Sequence, residues 1–238
     1  MKRVHLSEGW GTAVIILAVM AILAITVLPS LAHEGMKKAD AESNLGPSMT
    51  QEGLRDAMRN LWDEHVVYTR NFIVSDIGGL EDLSAVTERL LRNQDDIGNA
   101  IKPFYGDEAG NKLAKLLREH ILIAADIVNA AKAGDNSTVN ASQKKWRQNA
   151  DEIAAFLSGA NPAWPKTTLT NMLYKHLDMT TTEVVSRLTK DWKGEITAYD
   201  QGHEHMMMLA DALTDGIVKQ FPGKFQSAVG YGAATYGK

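Results

Sequence analysis

The sequence predicts an all-α fold, a six-helix bundle built from three helical hairpins behind an N-terminal hydrophobic signal or anchor helix, and three observations lead there. Apolar residues recur at helical spacing through most of the chain after residue 48, and no stretch alternates convincingly as a strand. Apolar runs centred on His65, His120 and His176 resemble one another and lie 55 and 56 residues apart. A second element keeps the same beat, with Asn93-Gln94-Asp95-Asp96-Ile97 following His65, Asn149-Ala150-Asp151-Glu152-Ile153 following His120, and His203-Glu204-His205 following His176. Each period therefore holds two helical arms with a polar residue at the centre of both.

Residues 1–32 read as a signal peptide or membrane anchor: Lys2 and Arg3 precede an uncharged run over 11–28, and Ser30 and Ala32 suit a cleavage site before His33. The basic start keeps that end in the cytoplasm and exports the rest, to a periplasmic, extracellular or membrane-anchored position facing outside. Residues 33–47 are small and polar and read as a flexible tether. The bundle domain is expected over 48–225, followed by a loose Gly/Ala/Tyr tail over 226–238.

Within the domain, Ser48 to Gln51 forms a capping-box pattern, and Leu54, Met58, Leu61, His65, Thr69 and Phe72 carry the first helix to Gly78-Gly79. A second helix over about 82–102 ends at Pro103. Asp107 can cap a third, which carries Leu113, Leu117 and His120 and closes at Gly134. The fourth starts after Asn136-Ser137-Thr138, carries Trp146, Asn149 and Ile153, and breaks at Asn161-Pro162. Thr167 or Thr168 caps the fifth, which bears His176, and the sixth runs over about 192–220 with Tyr199, His203, Met206 and Met207 on one stripe before Phe221-Pro222.

Composition removes several classes of function. The net charge of −4, with acids and bases mixed along the chain, provides no basic stripe, so nucleic acid is set aside as a partner. With no cysteine there is no disulfide, thiolate metal site, iron–sulfur cluster or covalent haem attachment. A phosphate-binding glycine loop, a nucleophile elbow and a His-Glu-x-x-His zinc helix are all missing, and only Asp200-Gln201-Gly202-His203 approaches a di-iron motif. An enzyme is not favoured.

What remains is the set of inward histidines. Burying an imidazole is unfavourable unless its nitrogens find partners, and several neutral imidazoles at the centre of a bundle suit a transition-metal ion. The candidate ligands are His65, His120, His176, His203, Asp200, Asp96, Glu152 and His205. Asp200 and His203 are three residues apart on one helix face, and Asp96 and Glu152 each stand three after a repeated asparagine. The thioethers of Met206, Met207 and Met208 beside His203 and His205 leave copper slightly favoured over zinc and iron. Two other readings stay open: a structural or interaction module of the cell envelope whose polar layer is hydrogen-bonded internally, and, further off, a metal-dependent enzyme. Membrane attachment through 11–28 and a homo-oligomer are the remaining partner expectations.

The chain also resembles a set of small all-helical bacterial and archaeal proteins of unestablished function. The resemblance covers about residues 54–225 and rests on Trp62-Asp63-Glu64-His65 with Thr69-Arg70, on the run from Asp96 to Gly106 (Asp-Ile-Gly-Asn-Ala-Ile-Lys-Pro-Phe-Tyr-Gly), on Glu119-His120, on Asn149 to Ile153, on His176 with Thr180, and on Gln220-Phe221-Pro222. Members carry mutually incompatible enzyme labels, glycosyltransferase and acetylglutamate kinase among them. This sequence supports neither, because both need a phosphate site and the sheet that usually builds it.

Overall fold

A computed structural model describes residues 49–225 of the 238-residue chain. The expected export segment, the tether and the tail lie outside the described residues. Within them the fold is all-helical, with no strand: α1 (Gln51–Gly78), α2 (Leu83–Lys132), α3 (Asn136–Ala160), α4 (Lys166–Leu188) and α5 (Trp192–Gln220), then a short 3-10 turn at Pro222–Lys224. No helix among the described residues is long and apolar enough to cross a membrane.

Five helical elements stand where six were expected, because α2 comprises two helical arms that meet at one non-helical residue. Pro103 does not end the helix; the break comes at Gly106, whose φ of 84° and ψ of 169° are open only to glycine. There α2 doubles back on itself. In a straight helix Gly98 and Gly110 would stand ~18 Å apart, yet the Gly110 carbonyl oxygen lies 2.5 Å from where a Cβ on Gly98 would be. Two facing glycines let the backbones of the two arms approach this closely. Further along, Arg118 on the second arm reaches the Leu91 carbonyl at 3.0 Å and Asp95 at 2.9 Å on the first.

Caps set the other boundaries, sometimes a residue or two from the expected place. Thr50, not Ser48, accepts the Gly53 N–H at 2.9 Å to start α1, and Gly79 closes it in the left-handed conformation at φ 62°. Asp135 accepts from Thr138 to start α3, and Asp191 accepts from Gly194 to start α5. α4 begins after Pro165 without a side-chain cap, so neither Thr167 nor Thr168 serves as one.

The packing closes in a ring: α1 lies against α2 and α5, α3 against α2 and α4, and α4 against α5. The period seen in the sequence recurs in the core. Seven residues before each repeated histidine stand Met58, Leu113 and Leu169; one after stand Val66, Ile121 and Leu177; eight after stand Ile73, Val128 and Val184, all buried. The partner arms answer with Ile97, Ile153 and Leu209, and then Ile101, Leu157 and Leu213. The core divides into a large apolar cluster on one side of the histidines and a smaller one, around Phe72, Ile73, Leu90, Ile121, Val128 and Val184, on the other.

Candidate functional site

His65 on α1, His120 on the second arm of α2 and His176 on α4 are all buried and meet between the two apolar clusters. The His176 ring is central, with its centroid 5.6 Å from His65 and 6.0 Å from His120. Trp62 packs edge-on against His65 at 5.6 Å, and Trp146 lies over His120 at 5.1 Å. These indoles arrive by helical spacing: Trp62 is three residues before His65, and Trp146 three before Asn149.

One brace repeats three times around this layer. Asn93 donates its amide to the Leu61 carbonyl at 2.9 Å, and Asn149 does the same to Leu116 at 3.0 Å. In the third hairpin position His205 takes the role, with Nε2 2.8 Å from the Met172 carbonyl. Each acceptor lies four residues before the repeated histidine of its own period, so each brace ties a partner arm to the turn that presents the imidazole. Thr69 and Thr180, four residues after His65 and His176, bond back to those histidines' carbonyls.

The hydrogen bonds also fix the His120 tautomer. Because the Asn149 amide nitrogen is committed to Leu116, its Oδ1 faces the ring and accepts from His120 Nδ1–H at 2.8 Å. His120 Nε2 therefore keeps its lone pair. His205, donating through Nε2, keeps a lone pair on a buried Nδ1 that has no protein partner. Near His65, the Gln94 amide nitrogen is closer to Leu90 O (2.9 Å) and Asn93 Oδ1 (3.1 Å) than to His65 Nδ1 (3.4 Å). Its two hydrogens are taken by the nearer acceptors. Trp62 Nε1, Trp146 Nε1 and Gln94 Oε1 are likewise buried without a protein partner, leaving the layer rich in polar atoms whose bonding the protein does not complete.

Burial dominates the electrostatics. It pushes His65 down to about 3, with the neighbouring His120 adding to the effect. His120 falls to about 4 for the same reason, partly opposed by Asn149. His176 lies well below the usual histidine value, through burial first and then His65, His120 and His205. All three are neutral imidazoles at physiological pH, the protonation state in which histidine binds metals.

The remaining expected ligands lie elsewhere. His203 is at the half-exposed edge of α5, 2.7 Å from Asp63, and not with the buried three. Asp200 is exposed on the same helix. Asp96 is partly exposed 4.0 Å from Arg89, and Glu152 is exposed beside Gln148 at 3.2 Å. The reason is helical phase: three residues beyond an inward asparagine the side chain has already rotated toward the surface here, and the inward face of α5 is centred on Ala198, His205, Met206, Leu209 and Leu213, which leaves His203 at its edge. Among the described residues, no group of three or more His, Asp or Glu side chains already stands in ion-holding geometry.

A second buried polar group was not foreseen. Arg70 lies 3.3 Å from Glu183 and 2.9 Å from Glu195, and Arg187 lies 3.2 Å from the other Glu195 oxygen. Glu183, seven residues after His176, occupies the position that Phe72 and Ile127 fill in the other two periods. Burial raises it to about 7 against the pull of Arg70. That break in an otherwise apolar register was the available signal. Comparison of the chain with protein-family models, curated proteins and solved structures finds no match.

Proposed function

We propose that the chain binds a transition-metal ion at mid-bundle through His65, His120 and His176, with His205 as a fourth imidazole on its border. The observation that carries this reading is the meeting of three neutral imidazoles from three periods at centroid separations of 5.6 and 6.0 Å. With metal–nitrogen bonds of about 2.0–2.1 Å, imidazoles sharing an ion have centroids roughly 5.2–5.5 Å apart. The Asn149 acceptor on the far nitrogen of His120 supplies the orienting partner that metal-bound histidines use.

The donor set favours copper, in its monovalent form, over zinc or iron. With no carboxylate among these ligands the ion's charge stays uncompensated in a buried layer, and the Born penalty of a monovalent ion is about a quarter that of a divalent one. The buried thioether of Met206 lines a small void together with His176 and adds a soft donor nearby. The five helical elements are then six arms in three hairpins, with export by residues 1–32 as the accompanying proposal.

The test is metal analysis of the purified full chain, followed by melting curves with copper(I) under reducing conditions and with zinc and iron(II). At a hundred times the dissociation constant, binding adds about 2.7 kcal/mol. His120→Ala and His176→Ala abolish the gain, and His203→Ala keeps it. A metal-free protein that no ion stabilises would overturn the reading. The threefold brace favours the second reading, a polar layer that sets the register of the hairpins. That reading expects His176→Gln to fold normally and no ion to raise the melting temperature.

A further inference from the structure

One helical turn beyond the histidines, on the side of the smaller core cluster, lies a cavity of about 80 Å³. Its inner wall is made by the residues four positions after each histidine, Thr69, Ala124 and Thr180, and continues into Phe72, Ile127 and Val184. The void thus follows the same three-part register as the imidazole layer. At its other end Gln143 of α3 and the exposed Val185 of α4 bring it to the surface along the seam between those helices.

The cavity gives water little to bind. A buried water needs two to four polar partners, and the three threonine hydroxyls here have given their only hydrogens to carbonyls of their own helices and can offer water no donor: Thr69 to His65, Thr180 to His176 and Thr181 to Leu177. Besides these, the wall has polar side-chain groups only on Gln143, at the mouth, and on Trp146, whose buried Nε1–H has no protein partner, and one indole donor falls short of the two to four partners a buried water needs. Dry apolar voids several times the volume of one water are uncommon in interiors packed at crystal density, and they take up apolar molecules.

We infer that this cavity is a binding chamber for a small uncharged apolar molecule, from dioxygen or a noble-gas atom up to a small hydrocarbon, entering between α3 and α4. The inference is independent of the metal reading, since no part of the chamber wall is a proposed ligand.

Xenon is the probe. Crystals of the full chain pressurised with xenon, and xenon NMR titrations of chelator-treated protein, are expected to show one site bounded by Ala124 and Val184. Ala124→Leu fills the inner wall and is expected to weaken xenon binding at least tenfold while the helical circular dichroism is kept. Ala131→Leu, on the outer wall, is the second variant should the first fail to fold. Ordered water in the cavity, no xenon at this site, or xenon affinity unchanged in both filled variants would overturn the inference. Xenon binding by a protein that takes up no metal would leave it standing and remove only the metal proposal.

Discussion

His205 stands to Met172 as Asn149 stands to Leu116: each donates a side-chain hydrogen to a carbonyl four residues before a buried histidine, at 2.8 and 3.0 Å. Asparagine should therefore serve at 205. His205→Asn is expected to stay within about 1 kcal/mol of the parent, whereas His205→Leu, with no donor to offer, loses about 1–3 kcal/mol. Urea midpoints of the two variants decide between them. Equal losses would mean that the brace contributes nothing and only the ring's bulk matters.

Stability should fall steeply in mild acid. His65 and His120 are lowered to about 3 and about 4, and His176 lies well below its ordinary value. Groups held down in this way contribute stability that is present above the unfolded value near 6.5 and lost as pH falls toward their folded values, because the unfolded chain takes protons that the core refuses. Glu183 acts in the opposite sense: raised to about 7, it contributes below about 4.5 and loses its contribution as pH rises through about 7. Between about pH 5 and 6 the balance approaches three protons less one, a slope of up to about 2.7 kcal/mol per pH unit. Urea midpoints at pH 7.5, 6.5 and 5.5 in chelator should show it, with a shallower slope in His120→Gln. A flat profile would mean that the imidazoles are solvated.

The helices and the convergence of His65, His120 and His176 were legible because a buried face repeats every 55 or 56 residues and each histidine sits on it. The partner arms were harder to phase. A strict step of 56 from Asn93 through Asn149 lands on His205, but Met206, Met207 and Met208 spread apolar character around α5 and blur which face is inward. The stripe through Tyr199, His203 and Met206 therefore reads as the inward face of this helix, ahead of His205. Asp96 and Glu152 were drawn in by proximity in sequence to the asparagines, although only the asparagine itself reaches the carbonyl across the arms. The turn inside α2 was expected at Pro103, whereas the backbone conformation that only Gly106 can adopt fixes it three residues later.

Asn149 is expected to tune the site through His120. Asn149→Leu removes the acceptor for His120 Nδ1–H, frees the tautomer, and should lower metal affinity roughly 10–100-fold. Asn93→Leu breaks the equivalent brace on α1, yet Asn93 Oδ1 faces Gln94 and not an imidazole. The two variants should lose comparable stability in urea while only the first shows the larger drop in competition titrations against a chromophoric chelator. Equal metal affinities would show that the orientation of His120 does not depend on Asn149.

The reversal in α2 should be the least tolerant backbone feature of the bundle. Alanine at Gly106 forces a side chain into φ 84° and ψ 169°, a conformation that costs about 1–3 kcal/mol for a non-glycine residue. Alanine at Gly98 places its Cβ 2.5 Å from the Gly110 carbonyl and 2.7 Å from the Ala114 Cβ, so the arms must part, at about 1–3 kcal/mol. Gly159 supplies the control: it lies in α3 with nothing within 4 Å of an added Cβ, and Gly159→Ala should stabilise by about 0.5–1 kcal/mol. Melting temperatures of the three variants should fall, fall and rise in that order. If Gly98→Ala melts with the parent, the arms do not pack through their glycines and the doubled-back geometry of α2 is refuted.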